Sequence, residues 1–307
     1  MNKVLISDRT HSVLEERLRD AGFVVSVEPD HDYENLIAAA QGYDGLVVRS
    51  KVNIDRAFID RVPSLRCIGR VGAGMETIDV EYAESKGIRC LNSPEGNRDA
   101  VGEHTVGLLL ALLNNIARAD AEVRQGLWRR EANRGHELGS LTVGIIGYGN
   151  MGQAFARRLQ GFGCQIIFYD IKGPNGFKGI NGFRDLTDLQ READVVSFHV
   201  PLTDETQHYL NDAFVEAMTK PFYLLNTSRG AVVDTEALVR GLESGKIMGA
   251  GLDVLENENM QSDSLLTLNP GLLAHNCVLT PHVAGWTVES KYKLAAVLAD
   301  KIIDTLK

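Results

Sequence analysis

Three polar residues in the second half of the chain are of the types needed to move a proton and hold a carboxylate: Arg229, Glu258 and His282. Arginine offers a planar, permanently charged fork that matches a carboxylate. Histidine has the ordinary pKa nearest neutrality, and a carboxylate beside it fixes its tautomer and raises that pKa. Each of the three follows an apolar, strand-like run. Arg229 stands in Asn226-Thr227-Ser228-Arg229-Gly230 after Phe222–Leu225, Glu258 follows the run ending at Asp253, and His282 stands in Thr280-Pro281-His282 after Val278–Thr280. Singly, each reads as readily as a surface ion pair or a turn cap. Their common place beyond strand ends of an open α/β sheet, where such sheets bind ligands, favours chemistry. Glu256, two residues before Glu258, is the alternative carboxylate.

A second constellation lies upstream. Gly147-Tyr148-Gly149-Asn150-Met151-Gly152 fits G-x-G-x-x-G, with the strand-like Thr142–Ile146 leading in and a helical pattern from about Met151 leading out. Glycines there allow a tight turn and close backbone approach, so that a pyrophosphate can sit on N–H groups at the positive end of a helix. Asp170 closes the next strand, 170 − 152 = 18 residues after the last glycine. Its carboxylate would accept ribose hydroxyls and repel a 2′-phosphate, which makes NAD the expected cofactor. Lys172 nearby leaves NADP open, and glycines serving only helix–strand packing are the bland alternative.

These groups need a scaffold, and the chain supplies a β-α alternation almost end to end. Lys3–Ser7, Phe23–Val27, Gly45–Arg49, Leu65–Arg70 and Ile88–Leu91 read as strands too continuously apolar for half-exposed antiparallel ones, with helical stretches such as Ser12–Ala21 and Val80–Ser85 between them. A second series follows Leu141, with strands near Thr142–Ile146, Gln165–Tyr169, Asp194–Phe198, Phe222–Leu225, Ile247–Asp253 and Val278–Thr280. The expected fold class is therefore α/β, with two doubly wound parallel-sheet domains. Between the series, after Asn92-Ser93-Pro94-Glu95-Gly96, one long helix is expected from about Arg98 to Arg118. It is apolar around much of its girth and so suited to burial between domains or in a subunit interface. The terminal amphipathic helix Val288–Leu306 is expected to cross back onto the first domain. Lys172–Phe183, with glycines at 173, 176, 179 and 182, reads as a mobile loop.

Length and composition bound the rest. The chain has 307 residues, 44% hydrophobic and 24% charged, with 32 Lys and Arg against 41 Asp and Glu for a net charge of −9. That balance suits a folded protein of about two domains and disfavours nucleic acid or an anionic membrane as partner. Cys67, Cys90, Cys164 and Cys277 have no metal-site spacing and read as free thiols of a cytoplasmic protein; no metal is expected. MNKVLISDRT lacks the apolar core of a signal peptide, and no apolar run reaches 18 residues.

In order and context these motifs, with His199-Val200-Pro201-Leu202-Thr203 and Pro281-His282-Val283-Ala284-Gly285, resemble the NAD-dependent D-isomer-specific 2-hydroxyacid dehydrogenases over essentially the whole chain. The resemblance implies a Rossmann cofactor domain, residues 96–285, inserted into a flavodoxin-like substrate domain of residues 1–95 plus 286–307. It makes Arg229, Glu258 and His282 catalytic. It assigns Gly147, Gly149, Asn150, Met151, Gly152, Asp170, His199, Val200, Pro201, Thr206, Thr227, Asp253 and Ala284 to the cofactor. His282 would take the hydroxyl proton while hydride leaves the 2-carbon, with Arg229 on the substrate carboxylate. The N–H groups of Ala73 and Gly74 would complete that carboxylate site as the cleft between domains closes. Two positions depart from the family pattern: Asn259 stands where Pro often follows the catalytic Glu, and the loop Gly72-Ala73-Gly74-Met75-Glu76-Thr77-Ile78-Asp79 differs from the usual Gly, Val, Asp and Asn-rich run.

Two further arginines bear on the substrate. Arg49 in Val47-Val48-Arg49-Ser50 and Arg70 in Ile68-Gly69-Arg70-Val71-Gly72 lie at strand ends of the first series. They resemble the segments with which phosphoglycerate dehydrogenases bind a phosphate, so Arg49, Ser50, Arg70, Ala73, Gly74, Arg229 and His282 are the expected substrate residues. Solvated surface charge is the plain alternative for the arginines. D-3-phosphoglycerate oxidation, the first step of serine synthesis, is thereby implied, with glyoxylate or hydroxypyruvate reduction the alternative and an NAD-sensing corepressor a remote one. The tract Trp128-Arg129-Arg130-Glu131-Ala132-Asn133-Arg134 could lend a cation from a partner subunit, and a homodimer through the cofactor domain is expected. Because 25 residues follow His282, no regulatory domain and no serine inhibition through one are expected.

Overall fold

A computed structural model describes residues 1–177, 179–256, 258, 271–272 and 275–307. The chain divides into two compact units, Met1–Arg98 with Trp286–Lys307, and Asp99–Gly285. In the first, β1 (Lys3–Ile6), α1 (Val13–Asp20), β2 (Val24–Val27), α2 (Tyr33–Ala39), β3 (Gly45–Val48), α3 (Arg56–Arg61), β4 (Cys67–Arg70), α4 (Val80–Ser85) and β5 (Arg89–Leu91) build one parallel sheet of order 2-1-3-4-5. Successive residues of a strand point to opposite faces, and both faces are covered. Val4 and Ile6 pack with Leu14, Leu18, Leu298 and Ile302. Leu5, between them, packs with Leu36, Ile37, Phe58 and Ile59 on the other face.

The second unit runs α5 (Arg98–Leu113), α6 (Ile116–Arg124), β6 (Thr142–Ile146), α7 (Asn150–Leu159), β7 (Gln165–Tyr169), α8 (Leu186–Glu192), β8 (Val195–Phe198), α9 (Asp212–Ala217), β9 (Phe222–Asn226), α10 (Thr235–Glu243), β10 (Ile247–Leu252) and β11 (Cys277–Leu279). Its six parallel strands lie in the order 11-10-9-8-6-7. A lone parallel bridge, Phe168 to Phe183, continues the sheet beyond β7, which completes the Rossmann strand pattern. β6 thus sits at the switch point, with β7 on one side and β8 on the other. The last helix, α11 (Val288–Leu306), opens on a capping box between Thr287 and Ser290 and lays Ala295, Leu298 and Ile302 on the first sheet. Lys301 ties it to Asn92 O and Glu95 after β5.

Three expectations are corrected. The single helix expected from Arg98 to Arg118 is two, because Asn115 turns left-handed at φ 52° after Leu113. The apolar girth of α5 belongs to its own unit: Leu108, Leu109, Leu112 and Leu113 pack with Val143, Ile145 and Phe155 in one core, so it is no evidence for a subunit interface. The glycine-rich stretch is anchored, since a 3-10 turn over Pro174–Phe177 buries Phe177 against Tyr148 and Phe168.

Candidate active site

β6 delivers the chain into Gly147, whose φ of +90° and crowding against His199 O, 2.6 Å from where a Cβ would stand, demand glycine. Tyr148 N–H donates to Asp170 Oδ2 at 2.8 Å and Lys172 N–H to Oδ1 at 3.0 Å, which fixes the acid beside the turn. α7 then begins with Gly149 as its N-cap and no side chain on its first amides, whereas Asp32, Asp55, Asp79, Asp185, Asn211, Asp234 and Thr287 cap seven other helices. No atom lies within 4 Å of a Cβ placed on Gly149. Uncapped N–H groups of Asn150 and Met151 beside open space, Gly152 buried in the same turn, and a carboxylate at the end of β7 together fit a dinucleotide.

The other residues around that turn are engaged as follows. His199 Nε2 meets Ser197 Oγ at 2.8 Å, while its buried Nδ1 has no partner among the described residues; burial pushes the ring's pKa down to about 3, so it is neutral. Val200 packs beside Gly147. Thr206 Oγ1 closes the turn after Pro201 by donating to Pro201 O (2.6 Å) and accepting from Thr203 N–H (2.7 Å). Thr227 Oγ1 lies 3.2 Å from Thr105 Oγ1 of α5.

At the far end of β9, Asn226 is buried and shapes the next turn. Its Oδ1 accepts from Ser228 N–H and Oγ–H, and its Nδ2 donates to Arg229 O. Gly230 follows, and a Cβ on it would lie 2.0 Å from Leu255 O. Only glycine lets the Arg229 turn press against the loop after β10, the loop that carries both glutamates.

Asp253 governs the neighbouring turn from a buried position. Oδ1 accepts from Thr280 Oγ1–H (2.6 Å) and Val283 N–H (2.9 Å), Oδ2 accepts from Ala284 N–H (2.8 Å), and the backbone O takes His282 N–H (2.7 Å). These bonds hold His282 in the left-handed region at φ 54°. Its Nδ1 donates to Glu258 Oε1 at 2.7 Å, which leaves Nε2 as the atom that can accept or release a proton. The Glu258 bond lifts the His282 pKa above its ordinary 6.5, against partial burial and the nearby Arg229 charge. Glu256 points elsewhere, to His208 and Thr235, so Glu258 is the carboxylate paired with His282. Asn259 lies outside the described residues.

In the first unit Arg49 and Arg70 sit just beyond β3 and at the end of β4. Arg49 N–H donates to Asp8 Oδ2 at 2.8 Å, and Arg70 Nε donates to Arg49 O at 3.2 Å. The Arg49 guanidinium lies 4.8 Å from the ring centre of Trp286 and has no carboxylate partner among the described residues, whereas Arg17, Arg56 and Arg61 all have one. Asn92 Nδ2 donates to Ala73 O and Ser93 N–H to Gly72 O, which fixes the loop after β4. Ser50 is exposed beside Arg49. In the arginine tract, Arg129 reaches Glu122 at 3.8 Å and Arg134 pairs with Glu131 at 2.7 Å.

A family model described as D-isomer specific 2-hydroxyacid dehydrogenase, NAD binding domain, matches residues 106–284. The chain belongs to the D-isomer specific 2-hydroxyacid dehydrogenase family. It is an oxidoreductase by that membership, and NAD is the cofactor of its second unit. Among relatives of this dehydrogenase, a D-3-phosphoglycerate dehydrogenase of Methanocaldococcus jannaschii is 36% identical over 310 residues, covering all of this chain and 58% of its own length. A hydroxypyruvate reductase of Thermotoga maritima is 37% identical over 286 residues, covering 92% of this chain and 91% of its own. The chain thus spans little more than half of the first relative and most of the second. Among solved structures, a D-lactate dehydrogenase of Aquifex aeolicus complexed with NAD and lactic acid superposes with a TM-score of 0.81 at 28% identity, over 98% of this chain and 94% of that one.

Sequence reasoning missed His104, His208 and Thr235. His104 Nε2 lies 2.9 Å from Thr280 Oγ1 and 3.5 Å from Asp253, and His208 and Thr235 hold Glu256. Their partners are 21 to 176 residues away in sequence, a separation that no local motif reports.

Proposed function

We propose that this dehydrogenase interconverts D-3-phosphoglycerate and 3-phosphohydroxypyruvate with NAD, the entry step to serine. The observation that carries the reading is the pair Arg49 and Arg70 at neighbouring strand ends, with Arg49 stacked on an aromatic ring instead of neutralised by an acid. A dianion calls for such charge-assisted donors, and a neutral substrate end would leave the Arg49 guanidinium without an anion. When bound, NAD supplies the hydride acceptor for the substrate 2-carbon. His282 Nε2 takes the proton of the 2-hydroxyl in oxidation and returns it in reduction, while Glu258 stabilises the charged ring. Arg229 holds the substrate carboxylate and polarises the developing keto oxygen. The N–H groups of Ala73 and Gly74, without partners among the described residues, are further donors for an anionic substrate.

Replacing Arg49 with Gln tests the reading. KM for 3-phosphohydroxypyruvate should rise about 10- to 100-fold, the worth of one charge-assisted bond pair, with turnover of hydroxypyruvate nearly unchanged. Equal effects on both substrates would refute a phosphate role. A hydroxypyruvate or glyoxylate reductase is the second reading, favoured by the T. maritima relative whose length this chain nearly matches.

We also infer a homodimer through the cofactor unit. No residue of α6 is buried, and Ile116, Val123 and, just beyond, Trp128 are large, apolar and exposed. Light scattering at the mass of one chain would remove this inference. The four free cysteines suit a reducing cytoplasm, and no single helix among the described residues is long and apolar enough to cross a membrane.

A further inference from the structure

The loop after β10 carries two glutamates two residues apart, and each meets its own histidine. Glu258 meets His282 at 2.7 Å and Glu256 meets His208 Nε2 at 2.6 Å. The second pair takes no part in the chemistry described above, yet among the described residues it is the more heavily bonded. Glu256 Oε2 also accepts from Thr235 N–H at 2.8 Å and from Thr235 Oγ1–H, at the first turn of α10. His208 is held in the left-handed region at φ 50°, a cost that a non-glycine residue bears only where surrounding bonds impose it. Its N–H donates to Ala231 O at 2.7 Å, two residues after Arg229, and Leu210 N–H donates to Val232 O at 3.1 Å. The segment bearing His208 is therefore stitched by its backbone to the turn that presents Arg229. Its side chain, through Glu256, is stitched to the loop that presents Glu258.

An anchor of this kind bears on the sequence itself: Asn259 stands where the family often has a proline. Among the described residues of the loop, Leu255 N–H donates to Glu258 Oε2 at a long 3.4 Å. We propose that His208 and Glu256 are positioning residues: with Thr235 they form a clamp that holds the Arg229 turn and the Glu258 loop in register, so that Glu258 stays on His282. Neither touches a reacting atom. The clamp acts through where it leaves the Glu258 carboxylate, and the proposal rests on the reading of Glu258 and His282 as catalytic.

The test compares Glu256→Gln, His208→Ala and His208→Gln with Glu258→Gln, using NADH with hydroxypyruvate or 3-phosphohydroxypyruvate, whichever the protein reduces faster. Loss of the clamp should lower kcat about tenfold, the equivalent of one charge-assisted bond, with KM for the keto acid within about twofold. In both Glu256→Gln and His208→Ala the pKa on the falling limb of the reduction profile should move down toward 6.5. His208→Gln keeps a donor and should restore most of kcat. The double variant Glu256→Gln with His208→Ala should be no worse than either single one, because both break one clamp. In the cofactor-free protein, hydrogen exchange of the backbone from 252 to 258 should accelerate in the single variants. Unchanged kcat, pH profile and exchange in Glu256→Gln would overturn the proposal, as would kcat and KM falling together with a collapsed melting temperature. If Glu258→Gln itself leaves turnover intact, the catalytic reading fails first and the clamp falls with it; if only the clamp variants are silent, that reading stands and the clamp alone is wrong.

Discussion

His282 and Glu258 form a base whose strength is set by one 2.7 Å bond. Because that bond raises the His282 pKa above 6.5, the ring stays protonated to higher pH than a free imidazole does. In the proposed mechanism reduction uses the protonated ring, so its rate should fall only above the raised pKa. Oxidation uses the neutral ring and should rise over the same interval. Glu258→Gln should move both limbs to lower pH, and stopped-flow or steady-state profiles between about pH 5 and 10 would show it. His282→Ala should cost about 100- to 10,000-fold in kcat, the usual contribution of a positioned general acid or base. Near-normal turnover at every pH would remove His282 from the mechanism. The residue types of this site were legible in the sequence, but the choice between Glu256 and Glu258 was not. An offset of two along an irregular loop decides nothing until His208 and Thr235 are seen to engage Glu256.

Elements explain why these residues stand where they do. Gly230 lies between the Arg229 turn and the loop after β10, and Gly230→Ala would drive a methyl to 2.0 Å from Leu255 O. The expected outcome is a loss of kcat well beyond the loss of melting temperature, because two turns must separate while β9 and β10 remain paired; a fully active variant would contradict that packing. At the end of β8, the neutral buried His199 makes an acid-sensitive joint. Its folded pKa, pushed down to about 3, lies below the unfolded 6.5. Folding stability is therefore whole above pH 6.5 and declines as the pH falls toward 3, by up to about 1.4 kcal/mol per pH unit from this ring alone. Denaturant midpoints measured from pH 7 to 4 should fall less steeply in His199→Asn. Strands and the terminal helix were readable because continuous apolar runs and a 3.6-residue stripe are local signals. β6, β7 and Val288–Leu306 lie where the pattern put them. The break after Leu113 escaped because left-handed Asn115 interrupts an otherwise helical pattern, and Phe177 escaped because its partners, Tyr148 and Phe168, are not its neighbours in sequence.

At the scale of the whole molecule, an acidic chain carries at Arg49 a cation stacked on Trp286 with no carboxylate partner among the described residues. Net charge describes the average surface and leaves the site open, since the neighbouring strand ends that carry Arg49 and Arg70 can be locally positive regardless of the total of −9. The first unit depends on a helix from the far end of the chain: Leu298→Ala, buried between α11 and the sheet, should destabilise that unit by about 2–5 kcal/mol, seen as a lower first transition on heating. The relatives divide between D-3-phosphoglycerate dehydrogenases and reductases of hydroxypyruvate or glyoxylate, and the function proposed above sides with the former. The most direct test is kcat/KM with NADH for 3-phosphohydroxypyruvate against hydroxypyruvate, in one buffer and at one pH. A preference for the phosphorylated acid of about tenfold or more, as expected for one charge-assisted phosphate contact, is the predicted result. Equal efficiency, or a preference for hydroxypyruvate, would contradict it.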